Sequence, residues 1–295
     1  MIVVLVALEV ERSEIRKRLH DTHLERHPAG THFDVGTLTR PDGGPPTRVA
    51  LALVGQGNPA AGVIAERAIN HYKPAAVLFV GVAGGLRDWL ALGDVVVATK
   101  VYAYQGGRSE DGAFRAYPQA WPMPYELEQV ARHLALDEDW ADGLDRTPRV
   151  HFEPIAAGEV VVNGRETPEA HRLRQHYADA VAVEMESAGA AHAGHVNHAV
   201  PTATVRGISD HAGGHKDQTD AEGWQPRAAA HAAAFALALA ARIDHHGASA
   251  PATRESADSS RYTISTSGPQ SPVIGTGGTI RGGVHLDYRE ERRDG

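Results

Sequence analysis

The stretch AAVLFVGVAGG at residues 75–85 carries the pattern that decides the fold class. Its first half is apolar without interruption, and its second half is rich in glycine. A strand with one face in water alternates apolar and polar residues, whereas a strand covered by helices on both faces is apolar throughout. The stretch therefore predicts a buried strand of an α/β sheet that ends in a glycine-rich turn.

Similar apolar runs occur on both sides of this stretch and alternate with helical patterns. The strand-like runs are IVVLVAL (2–8), TRVALALVG (47–55), GDVVVATKVY (93–102), AAGEVVVNG (156–164), AVAVEM (180–185) and PTATVRGIS (201–209). Helices are predicted between them, with Asn58 as an N-cap, Pro59 as a first helical residue, and further helices over 187–196 and 227–243. This alternation predicts an α/β fold: a single-domain three-layer sandwich with a central mixed, largely parallel sheet flanked by helices.

Two segments depart from the alternation. Residues 105–150 begin with a stretch rich in glycine, proline and aromatic residues, which is typical of a lid or a subunit interface. Residues 247–295 are poor in large apolar residues and rich in serine, glycine and charge, so they are predicted to be a flexible low-complexity tail. Within the tail, residues 272–288 show some alternation and could form a strand on a protein partner. The folded domain is expected to span 1–246.

Composition excludes several classes of function. The net charge of −8 and the lack of a basic run argue against nucleic-acid binding. The chain has no cysteine, which excludes disulfides and thiolate chemistry, and no apolar run reaches the ~20 residues of a membrane span. The histidine-rich stretches 20–32 and 192–198 lack an accompanying metal-binding motif, so no metal and no cofactor are predicted. The N-terminus does not resemble a signal peptide, and a cytoplasmic protein is expected.

The polar residues that follow the predicted strands are the candidates for chemistry. Ligands bind beyond the carboxyl ends of parallel strands, and Glu11, the glycines of 81–85, the Glu-Met-Glu of 184–186 and Ser209-Asp210 all follow such runs. Any one of these acids is commonly a helix cap or a solvated turn. Three such acidic positions, a methionine and a glycine-rich loop at one edge of a sheet are better explained by a binding site.

Six short motifs occur in order and carry a family resemblance. They are VALEVE, VGQGNPAA, GVAGGL with LGDVVVATK, GEVVVNG, AVEMESAGAAH and VRGISD. Together they resemble the purine nucleoside phosphorylase/nucleosidase superfamily over residues 1–243, and most closely its 5′-methylthioadenosine/S-adenosylhomocysteine nucleosidases. The resemblance implies that the partner is a small-molecule purine nucleoside or nucleotide and that the protein forms a homodimer.

The resemblance also implies roles for particular residues. Asp210 would act as the acid at purine N7, Glu11 would activate water, and Glu186 would hold the ribose hydroxyls. The implied substrate-binding residues are Glu186, Met185, Ser209, Val162, Val161, Ala83, Gly84, Ala7 and Arg206. Val162 would present its backbone to the edge of the base, while Val161 replaces the aromatic residue that the nucleosidases carry there.

The nucleophile distinguishes a hydrolase from a phosphorylase. The resemblance implies that a hexameric bacterial phosphorylase would carry an arginine and a serine near the end of the fourth strand, where this chain has Phe79 and Val82. Because a phosphate dianion there would lack a charge partner and a hydroxyl donor, water is the expected nucleophile. A phosphorolytic enzyme stays the alternative.

The 5′ substituent of the substrate and the purpose of the tail stay open. Lys100, Arg108, Arg206 and Lys216 lie in or near the predicted site loops, and they would suit a phosphorylated substrate such as an adenine nucleotide or would serve as surface charges and ion pairs. An alternative from a different class is a nucleotide-sensing effector module whose tail recruits a partner.

Overall fold

The structure is a computed structural model that describes residues 1–137, 139–198, 200–213 and 216–243, with only the backbone for 216–218. All of these residues lie within one unit, Met1–Ala248. The predicted boundary at residue 246, the predicted tail over 247–295 and its possible protein partner lie outside the described residues. In the part of the chain that the structure describes, no helix is both long and apolar enough to cross a membrane.

Strands and helices alternate through most of the chain. Strands β1 to β12 are Ile2–Val6, His20–Arg26, His32–Leu38, Thr47–Leu53, Ala76–Gly85, Val95–Ala103, Gly107–Glu110, Ala113–Ala116, Gln119–Pro122, Val150–Ala157, Ala182–Glu184 and Thr202–His211. Helices α1 to α7 are Glu9–Arg16, Asn58–Tyr72, Tyr125–Leu134, Pro168–His176, Ser187–Val196, Lys216–Ala221 and Trp224–Arg242. A short 3₁₀ helix covers Asp139–Ala141.

The central sheet is mixed, as predicted. Its strand order is β11-β10-β6-β12-β5-β1-β4-β3-β2, and β9 pairs with β6. Parallel pairings join β4, β1, β5 and β12 in one group and β6, β10 and β11 in another. The two groups run in opposite directions, because β12 pairs antiparallel with β6 and β11 pairs antiparallel with the end of β5.

Each face of the sheet packs on its own layer of helices, which confirms the three-layer architecture. Along β1, Ile2, Val4 and Val6 join a core with residues of α1, α3 and α7. The alternate residues Val3 and Leu5 join a second core with residues of α2 and α5. Since successive side chains of a strand point to opposite faces, a strand buried on both faces must be apolar throughout.

The segment GEVVVNG was predicted to be part of a strand, and this prediction was wrong. β10 ends at Ala157, and residues 158–163 follow in an irregular path. Val160 and Val161 are exposed, whereas the side chain of Val162 is buried among apolar residues of another cluster. The three valines raise strand propensity, but the chain leaves the sheet here to line a cavity.

The predicted N-cap of α2 was also wrong. The cap position is Gly57, whose φ of 95° favours glycine, and Asn58 is the first helical residue. The Asn58 Nδ2 group donates to the Gly158 carbonyl (2.9 Å), and its Oδ1 accepts from the Gly189 amide (3.0 Å). The side chain therefore ties α2 to α5 and to the irregular segment.

Residues 105–150 are only partly separate from the core. β7 and β8 pair with each other in a two-stranded sheet, whereas β9 joins the central sheet. Leu127, Ala131 and Leu134 of α3 are buried in the core beside α7. A role as a lid or an interface stays a prediction, and among these residues it concerns the β7–β8 hairpin most directly.

Candidate active site

The ends of β5 and β12 form the centre of the candidate site. The two strands are parallel, and Asp210 near the end of β12 pairs with Gly84 near the end of β5. β11 comes from the opposite direction, with Val183 opposite Gly84. Because β11 runs antiparallel to β5, Glu184 lies farther back along β5 than Gly84. It thus lies closer to Gly81, the residue that pairs with Arg206 of β12. The acids were expected on one carboxyl edge, but an antiparallel strand delivers the Glu-Met-Glu segment.

A cavity of about 180 Å³ lies at this point. It contains ten of the eleven site residues predicted from the sequence: Ala7, Glu11, Ala83, Gly84, Val161, Val162, Met185, Glu186, Ser209 and Asp210. Leu8, Gln56, Val82, Val160, Val183, Glu184 and Gln225 complete the lining. Arg206, the eleventh predicted residue, does not line the cavity.

Glu11 is a buried carboxylate held by backbone amides. It lies in the first turn of α1, just after β1, and its Oε2 accepts hydrogen bonds from the amides of Ala7 and Leu8, both at 2.9 Å. Its Oε1 accepts from the Val82 amide (2.9 Å). Burial raises the pKa of the Glu11 carboxyl, while the Arg206 charge and the three amides oppose the increase. Such a fixed carboxylate can accept a proton.

Arg206 lies wholly buried below the cavity. It donates a hydrogen bond to Glu184, and its Nη2 is 3.9 Å from Glu186 Oε2. Its guanidinium carbon lies 4.5 Å from the centre of the Phe79 ring. Its Nε and Nη1 have no hydrogen-bond partner among the described residues. A buried cation with free donors can bind a small polar molecule or a developing negative charge.

Gly81 provides the space in which Glu11 and Arg206 approach each other. A Cβ atom at this position would collide with Arg206 Nη1 and with the Glu11 carboxylate, whose Cδ would be 2.8 Å away. The strand therefore needs glycine here because both side chains lie directly against its Cα atom. The free Nη1 group and the Glu11 carboxylate border the same space.

Glu184 shapes the turn that presents Glu186. Its carboxylate accepts from the amides of Glu186 (3.2 Å) and Ser187 (3.0 Å) and from the Ser187 hydroxyl (2.6 Å). It thereby satisfies a first-turn amide of α5 and balances the Arg206 charge. Glu184 was assigned no role from the sequence, although its place in the Glu-Met-Glu motif was a signal.

Glu186 is buried at the wall of the cavity. Its Oε1 accepts from the Gly57 amide (3.2 Å), which belongs to the loop before α2. Burial and the neighbouring Glu184 charge raise the pKa of Glu186 to about 7, although Arg206 and the Gly57 amide act in the opposite direction. The half-buried Met185 lies beside it in the lining. Glu186 can accept hydrogen bonds from hydroxyl groups when it is ionised.

Asp210 lies in the cavity lining, near the end of β12. The pairing of β12 with β5 shifts register between Ile208 and Asp210. The Ser209 hydroxyl donates to Asp210 Oδ2 (2.9 Å), while a Cβ atom on Gly84 would be 3.1 Å from Asp210 Oδ1. Asp210 is thus buried, oriented by its neighbour, and so close to Gly84 that a side chain there would require a shift of a few tenths of an ångström.

Of the four cations considered from the sequence, Lys100, Arg108 and Arg206 do not line this cavity. Lys100 pairs with Asp179 (2.8 Å), and Arg108 pairs with Glu110 (3.2 Å). Arg206 is the buried residue described above, and the side chain of Lys216 lies outside the described part. The contacts of Lys100 and Arg108 are ion pairs at the protein surface, which was the alternative explanation.

Sequence reasoning missed two polar residues of the lining, Gln56 and Gln225. Gln56 lies within the quoted motif VGQGNPAA, so its position next to a glycine loop was a usable signal. Gln225 lies in the first turn of α7 and carries no local signal, because a glutamine at a helix start is ordinary.

A larger groove of about 860 Å³ runs along α2 and α5. Its lining includes the exposed apolar side chains of Val63 and Val196 and several small residues. The buried carboxylates line the smaller cavity, and the free arginine donors lie below it, so this cavity is the better candidate for chemistry.

Comparison with known proteins agrees with the resemblance seen in the sequence. The family model described as the phosphorylase superfamily matches residues 1–241. The chain belongs to the phosphorylase superfamily. The motifs quoted from the sequence all lie within the matched residues.

The relatives of this superfamily member include several nucleosidases. A curated relative, the ATP nucleosidase Cap17 of Escherichia coli (strain KTE188), is 28% identical in an alignment over 238 residues, and the match covers 73% of this chain and 47% of the relative. The chain thus spans about half the length of the curated relatives it matches. The 5′-methylthioadenosine/S-adenosylhomocysteine nucleosidase of Neisseria meningitidis, solved with methylthio-immucillin-A, is 26% identical with a TM-score of 0.69 and covers 82% of this chain and 99% of its own.

A third comparison supports the fold alone. Futalosine hydrolase of Helicobacter pylori is 21% identical with a TM-score of 0.69, and the match covers 82% of this chain and 97% of that chain. This structural likeness agrees with the mixed α/β architecture of this superfamily member.

Proposed function

We propose that this protein hydrolyses the N-glycosidic bond of a purine nucleoside or nucleotide and that adenine is the base released. The observation that carries the proposal is the cavity that joins Asp210, Glu186 and Glu11 above the buried Arg206. The similarity to an ATP nucleosidase and to a methylthioadenosine nucleosidase supports a purine substrate.

In the proposed reaction Asp210, Glu11 and Glu186 have different chemical roles. Breaking the bond between C1′ and the base nitrogen leaves positive charge on the ribose and negative charge on the base. Protonated Asp210 donates its proton to N7, so the base leaves as a neutral molecule. Water adds to C1′, and its proton passes to Glu11. The ionised Glu186 accepts hydrogen bonds from the ribose hydroxyls, and Met185 packs against the sugar.

Water is the proposed nucleophile because of the charge around Arg206. Three carboxylates, Glu11, Glu184 and Glu186, surround this one guanidinium. A phosphate dianion would meet repulsion from them, whereas a neutral water molecule can accept a hydrogen bond from Arg206 Nη1 and donate one to Glu11. The free Nη1 group beside Gly81 supports this position for the water.

Adenine release from a panel of nucleosides tests the proposal. The wild-type protein and Asp210→Asn are incubated with methylthioadenosine, S-adenosylhomocysteine, adenosine, AMP and ATP, with and without phosphate, and adenine is measured by chromatography. We expect release without phosphate and a loss of about 10²–10⁴-fold in kcat for Asp210→Asn, since an asparagine cannot donate the proton.

The matched control is Asp111→Asn, because Asp111 is exposed in the turn of the β7–β8 hairpin. This variant should release adenine like the wild type. Release that requires phosphate would replace the hydrolase with the phosphorylase alternative, and no release from any member of the panel would refute the adenine nucleosidase.

A further inference from the structure

Two polar residues of the cavity lining have no contact with the base or the ribose hydroxyls in the proposed function. In the proposed function Asp210 acts on the base and Glu186 binds the ribose hydroxyls, while the resemblance places Val161 and Val162 beside the base. The other polar residues of the lining, apart from the buried Glu11, Glu184 and Ser209, are Gln56 and Gln225. A nucleoside bound in this way has one further group to accommodate, the substituent on C5′.

Both glutamines lie next to structure that is already tied to the cavity. The residue after Gln56 is Gly57, whose amide donates to Glu186 Oε1 (3.2 Å). Gln225 lies one helical turn before Ala228, whose backbone packs on Gly207 of β12 so closely that a Cβ on the glycine would be 2.6 Å from the Ala228 carbonyl carbon. The two side chains therefore approach the cavity from the loop before α2 and from the start of α7.

The side-chain amides of Gln56 and Gln225 have no hydrogen-bond partner among the described residues. The four carboxylates of the same lining, in contrast, all accept hydrogen bonds from protein donors: Glu11, Glu184, Glu186 and Asp210. Gln56 is exposed and Gln225 is half-buried. Polar groups that line a mostly apolar ligand cavity and lack a protein partner are commonly satisfied by the ligand.

We propose that Gln56 and Gln225 bind the C5′ substituent and select one that carries oxygen, a hydroxyl or a phosphate ester, over an alkylthio group. This inference rests on the proposed function and names the substrate class of that site. A side-chain amide offers both a donor and an acceptor, so it can bind a hydroxyl or a phosphate oxygen. A thioether sulfur is only a weak acceptor and would leave the half-buried amide of Gln225 poorly satisfied.

The test compares kcat/KM for adenosine, AMP, ATP and methylthioadenosine in the wild type, in Gln225→Leu and in the double variant with Gln56→Leu. We expect the wild type to prefer an oxygen-bearing substrate, and the double variant to shift the ratio toward methylthioadenosine by about tenfold or more, mainly through KM. Leucine keeps the approximate volume and removes the amide, so a change confined to KM separates recognition from damage to the acid and the water site.

A second variant, Gln225→Glu, distinguishes the two oxygen-bearing groups and does not depend on an apolar replacement. If a phosphate lies at this position, the added negative charge should lower kcat/KM for AMP and ATP relative to adenosine. An equal change in kcat/KM for adenosine, AMP and ATP would identify the hydroxyl as the bound group. The control is Gln129→Leu on the exposed face of α3, which should change no ratio.

The outcomes separate this inference from the proposed function. The role of the glutamines would be overturned, even with normal adenine release, by two results together. The double variant would change the kcat/KM ratio of oxygen-bearing substrates to methylthioadenosine less than twofold, and Gln225→Glu would also change it less than twofold. A wild type that prefers methylthioadenosine over all three oxygen-bearing substrates would also overturn it. A wild type that releases no adenine from any substrate would instead refute the proposed function.

Discussion

Four charged side chains are buried in the cavity lining or just below it, namely Glu11, Glu184, Glu186 and Arg206. One positive charge faces three carboxylates, and such a group is costly to bury unless hydrogen bonds or proton uptake compensate. Glu11 and Glu184 each accept several hydrogen bonds from protein donors. Glu186 accepts one from a backbone amide, and burial raises its pKa to about 7.

Glu186→Gln is expected to stabilise the protein at pH 8 relative to the wild type but to change its stability little at pH 4. A carboxyl whose pKa is higher in the folded state than the ordinary 4.5 contributes stability that is fully present below pH 4.5. That contribution is lost as the pH rises through about 7, when the folded protein must ionise Glu186. The variant lacks this loss, which is on the order of 3 kcal/mol.

The measurement is the free energy of unfolding in urea at pH 4, 5, 6, 7 and 8 for both proteins. Gln129→Ala serves as the control, because Gln129 is exposed on α3 and carries no ionisable group, so its difference should not depend on pH. A constant difference for Glu186→Gln over the same range would contradict the assignment of a raised pKa to this residue.

At the scale of elements, the site depends on how closely β5, β12 and α1 approach one another. Gly81 on β5 has no side chain, so Glu11 from the first turn of α1 and Arg206 from β12 meet against its backbone. Glycine weakens a strand interior, and here the close approach of two side chains explains its presence.

Gly81→Ala is expected to lower both adenine release and stability. The new methyl group would displace Arg206 Nη1 and the Glu11 carboxylate, and overpacking of this kind typically costs about 1–3 kcal/mol. Because the proposed water lies between these two groups, we expect a loss in kcat of at least about 100-fold, comparable to the removal of a catalytic hydrogen-bond donor.

Chromatographic assay of adenine and urea unfolding check this result. Gly106→Ala is the control, since a Cβ there would be 3.5 Å from the Tyr117 carbonyl oxygen, an ordinary contact. Release from Gly81→Ala within twofold of the wild type would contradict the proposed position of the water.

The elements also show where sequence patterns succeed and fail. The apolar run at 75–85 predicted β5, and the small residues after Glu186 predicted α5 over its observed range, because both patterns reflect local burial. β2 was missed because it is an edge strand with mostly exposed residues and no apolar alternation. The valines of 160–162 raised strand propensity at a position where the fold needs an irregular segment beside the cavity.

At the scale of the whole molecule, the structure separates the β7–β8 hairpin from the layers that form the core. The hairpin pairs only with itself among the described strands, and Phe114 packs under the Arg172 guanidinium at 4.0 Å. Its two ends are close, since the Tyr117 amide donates to the Gly106 carbonyl (2.9 Å). The hairpin therefore lies outside the central sheet and outside the two helical layers that pack on it.

Replacement of residues 107–116 by Gly-Ser is expected to change Tm by less than about 5 °C, because the hairpin adds little to the buried core. Thermal unfolding measures the effect, and adenine release from the same protein tests the predicted lid. For contrast, Leu127→Ala on α3 removes a buried core side chain and should cost about 2–5 kcal/mol. A hairpin variant that fails to fold would show that 107–116 belongs to the core.

The sequence by itself determined the mixed α/β fold, the family and a list of residues of which ten line one cavity. These features are local, since burial sets the apolar runs and short motifs carry the acids. Only the tertiary structure decided the direction of β11, the position of Arg206 below the cavity, and the arrival of Gln56 and Gln225. Gly57 and Glu186 are 129 residues apart and share a hydrogen bond, and the pKa of Glu186 depends on desolvation and on charges from other elements. No local pattern encodes such contacts, because they form only when distant segments pack together.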